Sequence, residues 1–237
     1  MRRSYIAAAF VLAILGGAAA LWQLSKSRTF QFFGRIVPRV ETSQRLVALT
    51  FDDGPTRDGT AEVLRLLRAH GVRATFFVTG GELERNPDAG RDIVAAGHEL
   101  GSHSYSHERM VFVTASYVRR EVERTDGLIS AAGHAGPILF RPPYGKKLLA
   151  LPFYLSRHDR KTITWDVAPD SELAADADAG AITRHVLNRA RPGSIVLLHV
   201  MYPSRAETMK AVPFIIEGLK RDGYRLVTVS ELLAAAE

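Results

Sequence analysis

Two carboxylates, Asp52 and Asp53, stand side by side where the apolar run of "LVALTFDDGPT" (Leu46 to Thr56) stops. Further along, His103 and His107 lie four residues apart in "HSYSH", and Arg141 opens "RPPYG". Asp166 and Asp170 fall in "WDVAPDSEL", and His199 directly follows "VLL". Each has an ordinary reading by itself. An Asp-Asp-Gly-Pro cluster suits a surface turn. Two histidines at this spacing are neighbours on a helix but more often merely exposed, His199 suits a core position, and Arg141 suits a surface ion pair. Together they describe chemistry. Two neutral imidazoles and one carboxylate make a three-ligand site with open positions, suited to zinc or another divalent transition metal. Such a site lowers the pKa of bound water and polarises a carbonyl. One aspartate of the pair can ligate while the other accepts the water's proton, and the cation offsets their mutual repulsion.

The elements that must position these groups alternate. Strand patterns run over 46–51, 74–79, 98–101, 138–140, 161–165, 194–198 and 225–228. Helical spacing (Val63, Leu64, Leu67) marks 60–69, with Gly71 as its stop. Further helices are expected over 87–96, 114–132, 179–189 and 206–222, and over 231–236 with Ser230 as cap. Seven strands separated by helices imply parallel strands with crossover helices, either a (β/α) barrel or an open doubly wound sheet. In both, ligands gather at the carboxyl ends of the strands. Five of the seven strands deliver a carboxylate, imidazole or guanidinium there.

The 237 residues, 46% apolar and 24% charged, suit one large domain with a short extension. The net charge of +6 is not a nucleic-acid footprint. Residues 1–40 hold six basic side chains and no acid, which leaves the remainder formally neutral. The absence of cysteine excludes disulfides, thiolate metal sites and a cysteine nucleophile. At the N-terminus, Arg2 and Arg3 precede an apolar run from Tyr5 to Leu24, the pattern of a signal peptide or a membrane anchor over 1–25. Residues 26–43 are basic and unpatterned, and read as a linker to a domain over 44–237.

"TFDDGP", "HSYSH", "RPPY" and "LLH" together resemble, in order, four motifs of the polysaccharide deacetylase family, whose shared unit is the NodB-homology domain. The resemblance implies an α/β fold, a distorted barrel of about seven parallel strands. It also implies metal-dependent hydrolysis of N-acetyl, sometimes O-acetyl, groups on a polysaccharide such as chitin-type glycans or peptidoglycan. By position, Asp52 would be the general base, His199 the general acid, and Asp53, His103 and His107 the metal ligands. Arg141 would orient Asp52, and Tyr144 would steady the oxyanion through its backbone N–H. The cofactor would be one divalent ion, zinc first, with cobalt, nickel or manganese as alternatives. The partners would be an acetylated glycan outside the cytoplasm and, through the N-terminus, a membrane. One motif departs: where the family has Asp followed by Trp, this chain has Asp170 followed by Ser171, and Trp165 precedes the segment. Asp170, or alternatively Asp166, would support His199 or Arg141. The rival readings are hydrolysis of a non-sugar amide and a catalytically silent carbohydrate-binding module.

Overall fold

The computed structural model describes residues 15–236. Its strands are β1 (Ile36–Val37), β2 (Leu46–Asp52), β3 (Thr75–Val78), β4 (Glu99–Ser102), β5 (Thr162–Ile163), β6 (Ile195–Leu198) and β7 (Arg225–Val227). β2 lies at the centre and all seven of its residues are buried. One edge carries β6, in register from Ala48 opposite Ile195 to Phe51 opposite Leu198. The other edge is shared: β7 lies beside Leu46–Ala48, and β3 beside Thr50–Asp52. β4 pairs with β3, and β1 with β5; every strand pairing is parallel. Single parallel bridges then join Ser102 to Phe140, Phe140 to Thr162 and Val167 to Val196, linking β4 through β5 to β6.

The near-continuous apolar character of β2, β3 and β6 follows from burial on both faces. Val47, Leu49 and Phe51 pack outward with Phe76, Val196 and Leu198 under the helices Arg57–His70 and Ala206–Arg221. Leu46 and Ala48 pack inward with Phe77, Ile163, Trp165, Ile195 and Leu197. Gly71 ends its helix in the left-handed region (φ 59), as its position requires.

Several expectations are corrected. The strand expected over 138–140 contributes only the bridge at Phe140. Pro137, Pro142 and Pro143 flank it, and proline has no N–H for a ladder. The stretch 26–43 is not a bare linker. It holds β1, Arg28 pairs with Glu172 at 2.7 Å, and Thr164 Oγ1 donates to the Arg28 carbonyl at 2.7 Å. Those partners lie far along the chain, which is why the local pattern looks unstructured. The last helix, Val229–Ala234, is capped by Thr228 in a reciprocal capping box with Glu231. Ser230 instead donates to the buried Glu99. Helices over Gly80–Arg85 and Ala150–Arg157 are additional to those expected. Residues 15–25 are helical, while the first part of the expected N-terminal apolar helix, 1–14, lies outside the described residues. Among the described residues no helix is long and apolar enough to cross a membrane.

Candidate active site

Strand parity selects the site. Side chains two apart share a face, so the inward row of β2 is Leu46, Ala48, Thr50 and Asp52. The inward row of β6 runs through Ile195 and Leu197 to His199, and that of β4 through Gly101 to His103. Apolar below in β2 and β6 and polar above, these rows bring Asp52, His103 and His199 together at the carboxyl ends. Gly101 is required here, because a Cβ would come within 2.6 Å of the Phe77 ring.

Asp52 is buried against Arg141, which is itself fully buried. The guanidinium donates from Nη1 to Asp52 Oδ1 at 2.5 Å and to Thr50 Oγ1 at 2.8 Å, and from Nη2 to the Thr164 carbonyl at 3.0 Å. It stacks on Phe77, 4.0 Å from the ring centroid, with Trp165 at 5.6 Å. Arg141, and not a bound cation alone, therefore offsets the repulsion between the adjacent aspartates. Asp52 keeps Oδ2 facing the site, 3.7 Å from His103 Nε2.

Asp53 leaves the strand. Its backbone is left-handed (φ 71), as is that of Gly54 (φ 63), so the chain turns sharply between the two carboxylates. Asp53 Oδ1 lies 3.1 Å from His107 Nε2 and 3.8 Å from His103 Nε2. The ligand atoms of Asp53, His103 and His107 all fall within 4.8 Å of one another. Burial would raise the Asp53 carboxyl, but the imidazole of His107, 3.1 Å away, together with those of His103 and His199, holds it well below the usual range. The Nδ1 of His103 is 2.7 Å from the Arg141 carbonyl, which as acceptor places the ring proton there and leaves Nε2 free. Burial keeps His103 below the ordinary histidine value despite the pull of Asp52 and Asp53, the direction that favours the neutral imidazole a metal ligand needs.

His103 and His107 are not on a helix. They sit in a loop whose backbone is left-handed at Ser104 (φ 64) and His107 (φ 60). Glu121, from the helix Ala115–Ala131, holds this loop: its Oε2 accepts from Tyr105 N at 3.0 Å, Ser106 N at 2.8 Å and Ser106 Oγ at 2.9 Å. The sequence reading missed Glu121. Its signal was a carboxylate in the buried stripe Val118, Glu121, Val122, Thr125 and Ile129.

His199 Nδ1 is 2.9 Å from Asp170 Oδ2, and the His199 backbone N–H donates to the same oxygen at 2.8 Å. Thr208 Oγ1 fixes Asp170 Oδ1 at 2.8 Å. Burial would lower His199, but the Asp170 hydrogen bond and the charges of Asp52, Asp53 and Asp170 raise it above the ordinary value. Its Nε2 faces the cluster, 3.9 Å from Asp53 Oδ2. Asp166 takes no part: it accepts from Ser194 Oγ at 2.8 Å and Ile195 N at 2.9 Å, anchoring the start of β6. Tyr144 has a left-handed backbone (φ 58), and its ring lies 4.7 Å from that of His107.

The residues fit a divalent metal. Asp53 Oδ1 is buried without a hydrogen-bond partner, beside two imidazoles, one of them held in the ligating tautomer. Such an orphaned anionic oxygen is costly unless a cation completes it.

The profile of the polysaccharide deacetylase family matches residues 39–162. A peptidoglycan-N-acetylglucosamine deacetylase of Bacillus cereus is 35% identical over 201 residues, 84% of this chain and 93% of that protein. The crystal structure of the Bc1960 peptidoglycan N-acetylglucosamine deacetylase superposes with a TM-score of 0.78 at 30% identity, covering 84% of this chain and 92% of that one. A family 4 carbohydrate esterase from Streptomyces lividans, in complex with acetate, has a TM-score of 0.70 at 33% identity, with 78% and 93% covered. With its four motifs converging on one cluster that could hold a metal, the family profile matching residues 39–162 and the Bacillus cereus protein matched over 93% of its length, the chain belongs to the polysaccharide deacetylase family.

Proposed function

We propose that this chain is a metal-dependent hydrolase that removes N-acetyl groups from an amino-sugar polymer, with peptidoglycan glycan strands as the favoured substrate. One observation carries this reading: two acid–base groups, each oriented by its own buried partner, flank a three-ligand cluster. Bound by Asp53, His103 and His107, a divalent ion, zinc first, would supply Lewis-acid polarisation of water and of the acetyl carbonyl. Asp52, with Oδ1 committed to Arg141, accepts the proton of the attacking water at Oδ2. His199, with Nδ1 committed to Asp170, donates a proton from Nε2 to the leaving sugar nitrogen, because an amine anion departs too poorly unaided. The backbone N–H of Tyr144 steadies the carbonyl oxygen as charge grows on it. The C–N bond breaks, and acetate and a free amine result.

A silent binding module would need neither the Arg141–Asp52 nor the Asp170–His199 pair, so the alternative worth testing is a non-sugar amide. The experiment is acetate release from N-acetylglucosamine oligomers, peptidoglycan and a simple acetamide, with chelator and metal add-back. Metal-restored release from the glycans alone is expected. Release from the acetamide at comparable kcat/KM, or release indifferent to chelator, would overturn the reading.

The ring of parallel pairings supports a distorted (β/α) barrel. The relatives' substrate supports a location outside the cytoplasm, and the Arg-flanked apolar run supports residues 1–25 as the export signal or anchor. A reporter fused after Glu237 is expected to be active only outside the cytoplasm, and the mass of the mature N-terminus decides between cleavage and anchoring.

A further inference from the structure

We propose that the face built from residues 30–33, 110–113 and 148–153 docks onto the lipid bilayer, in the interfacial layer of an anionic membrane. The proposal rests on reading residues 1–25 as an uncleaved anchor. An apolar groove of about 360 Å³ lies on this face, lined by Phe33, Met110, Phe112, Leu148, Leu149 and Phe153. Its rim is exposed: Phe112 is 75% accessible, and Leu149 and Phe153 are each 51%. Phe33 packs edge-on against Phe153 at 5.4 Å, and Phe30 against Phe32 at 5.3 Å, which extends the patch along the chain. Phe112 has a left-handed backbone (φ 56), a costly conformation for a bulky residue, yet its ring is left in solvent. A strained residue presenting an exposed aromatic ring marks a binding surface rather than a core.

Charge identifies the occupant. Lys26, Arg35, Arg109 and Arg157 are exposed and lie within four residues of the segments that form this face, and Lys146 lies with its Nζ 4.0 Å from the centroid of the Trp22 ring. Glu108 and Asp159 are the nearest acids in sequence. Aromatic rings ringed by lysine and arginine suit an anionic headgroup layer. The chain outside the described residues points the same way. Its apolar sequence from Tyr5 enters the helical residues 15–25, and Ser25 at their end accepts from the Lys147 backbone N–H at 3.0 Å, beside Leu148. An anchor at the N-terminus thus enters the folded domain beside this face. The same face borders the active site, since Arg109 lies 4.8 Å from the centroid of the Tyr144 ring, which packs on His107.

The chain has no cysteine, so Phe112→Cys and Phe153→Cys each create a unique labelling position, with Phe214→Cys, exposed on the helix Ala206–Arg221, as control. The full-length variants, each labelled with a fluorophore, are mixed with vesicles of phosphatidylethanolamine and phosphatidylglycerol, and read by flotation and by quenching with aqueous iodide. The labels at 112 and 153 are expected to lose quenching on binding, less so when phosphatidylcholine replaces phosphatidylglycerol, while the label at 214 stays quenched. Protein that floats with labels 112 and 153 still quenched overturns the docking and leaves the anchor reading intact. Protein that does not float overturns the anchor reading, and the docking with it. Labels already shielded before vesicles are added would show the groove covered by a second copy or by the chain itself, and also overturn the proposal.

Discussion

At Asp52 the backbone is still β2, and one residue later it is left-handed, so two identical side chains meet different partners. Asp52 is pinned by a buried guanidinium, and Asp53 is left with an orphaned oxygen among imidazoles. Arg141→Met would leave the Asp52 carboxylate buried and uncompensated, a change that costs about 3–5 kcal/mol for a broken buried pair. Denaturant unfolding measures it, and Arg141→Met combined with Asp52→Asn should recover part of the loss. His199 owes its raised pKa to Asp170 before any other carboxylate. A general acid is lost as pH climbs through its pKa, so removing the group that raises that pKa moves the alkaline limb of the pH–rate profile to lower pH. Asp170→Asn is expected to do so with metal content unchanged. An alkaline limb that stays in place would mean that Asp170 does not govern the proton on His199.

At the scale of elements, the histidine loop has little regular structure and borrows its shape from a helix. Glu121 converts the rigidity of the helix Ala115–Ala131 into a fixed separation of His103 and His107 by accepting three hydrogen bonds from Tyr105 and Ser106. The helix Gly80–Arg85 adds two more, its Gly80 and Gly81 N–H groups donating to the carbonyls of Ser104 and Tyr105 at 2.9 Å each. Removing the partner that orients a ligand typically costs 10- to 100-fold in metal affinity. Glu121→Ala should therefore weaken divalent-ion binding by about 10- to 100-fold and speed amide exchange at Tyr105 and Ser106. Glu121→Gln, which keeps an acceptor oxygen, should restore most of both. Unchanged affinity in the alanine variant would make Glu121 a packing residue only.

For the whole molecule, the candidate ligands come from the end of β2 and from the loop after β4, and Arg141, Asp170 and His199 beside them from the segments after Phe140, β5 and β6. Metal bound across these ends favours the folded chain by mass action, about 2.7 kcal/mol at a concentration 100 times Kd. Chelation should lower the thermal midpoint by roughly 5–10 °C for a chain of this size while far-ultraviolet circular dichroism at 25 °C stays the same. The core below the site is apolar and complete without the ion, with Phe77, Trp165 and Ile195 packed together. Loss of secondary structure at 25 °C on chelation would show that the ion holds the fold rather than the site.

The sequence by itself determined most of the element order, though not β1, the helices Gly80–Arg85 and Ala150–Arg157 or the missing strand at 138–140, and it singled out most of the residues that meet. Apolar runs, helical spacing and breakers such as Gly71 are local signals, and strand parity is written in the chain: Asp52 and His199 are in phase with the inward rows of β2 and β6. It also determined that His103, His107 and one of the two aspartates could ligate together, since ligand chemistry belongs to residue types; the family resemblance, and not the residue types, singled out Asp53. Only the tertiary structure decided the supporting contacts, because each joins segments far apart and leaves no local trace. Arg141 lies 89 positions from the Asp52 it neutralises, and Asp170 lies 29 from His199. Asp170 and Asp166 are indistinguishable as letters four apart. Folding sends one to His199 and the other to the start of β6, because the path of the backbone after β5, and not the identity of either side chain, sets which carboxylate reaches the site.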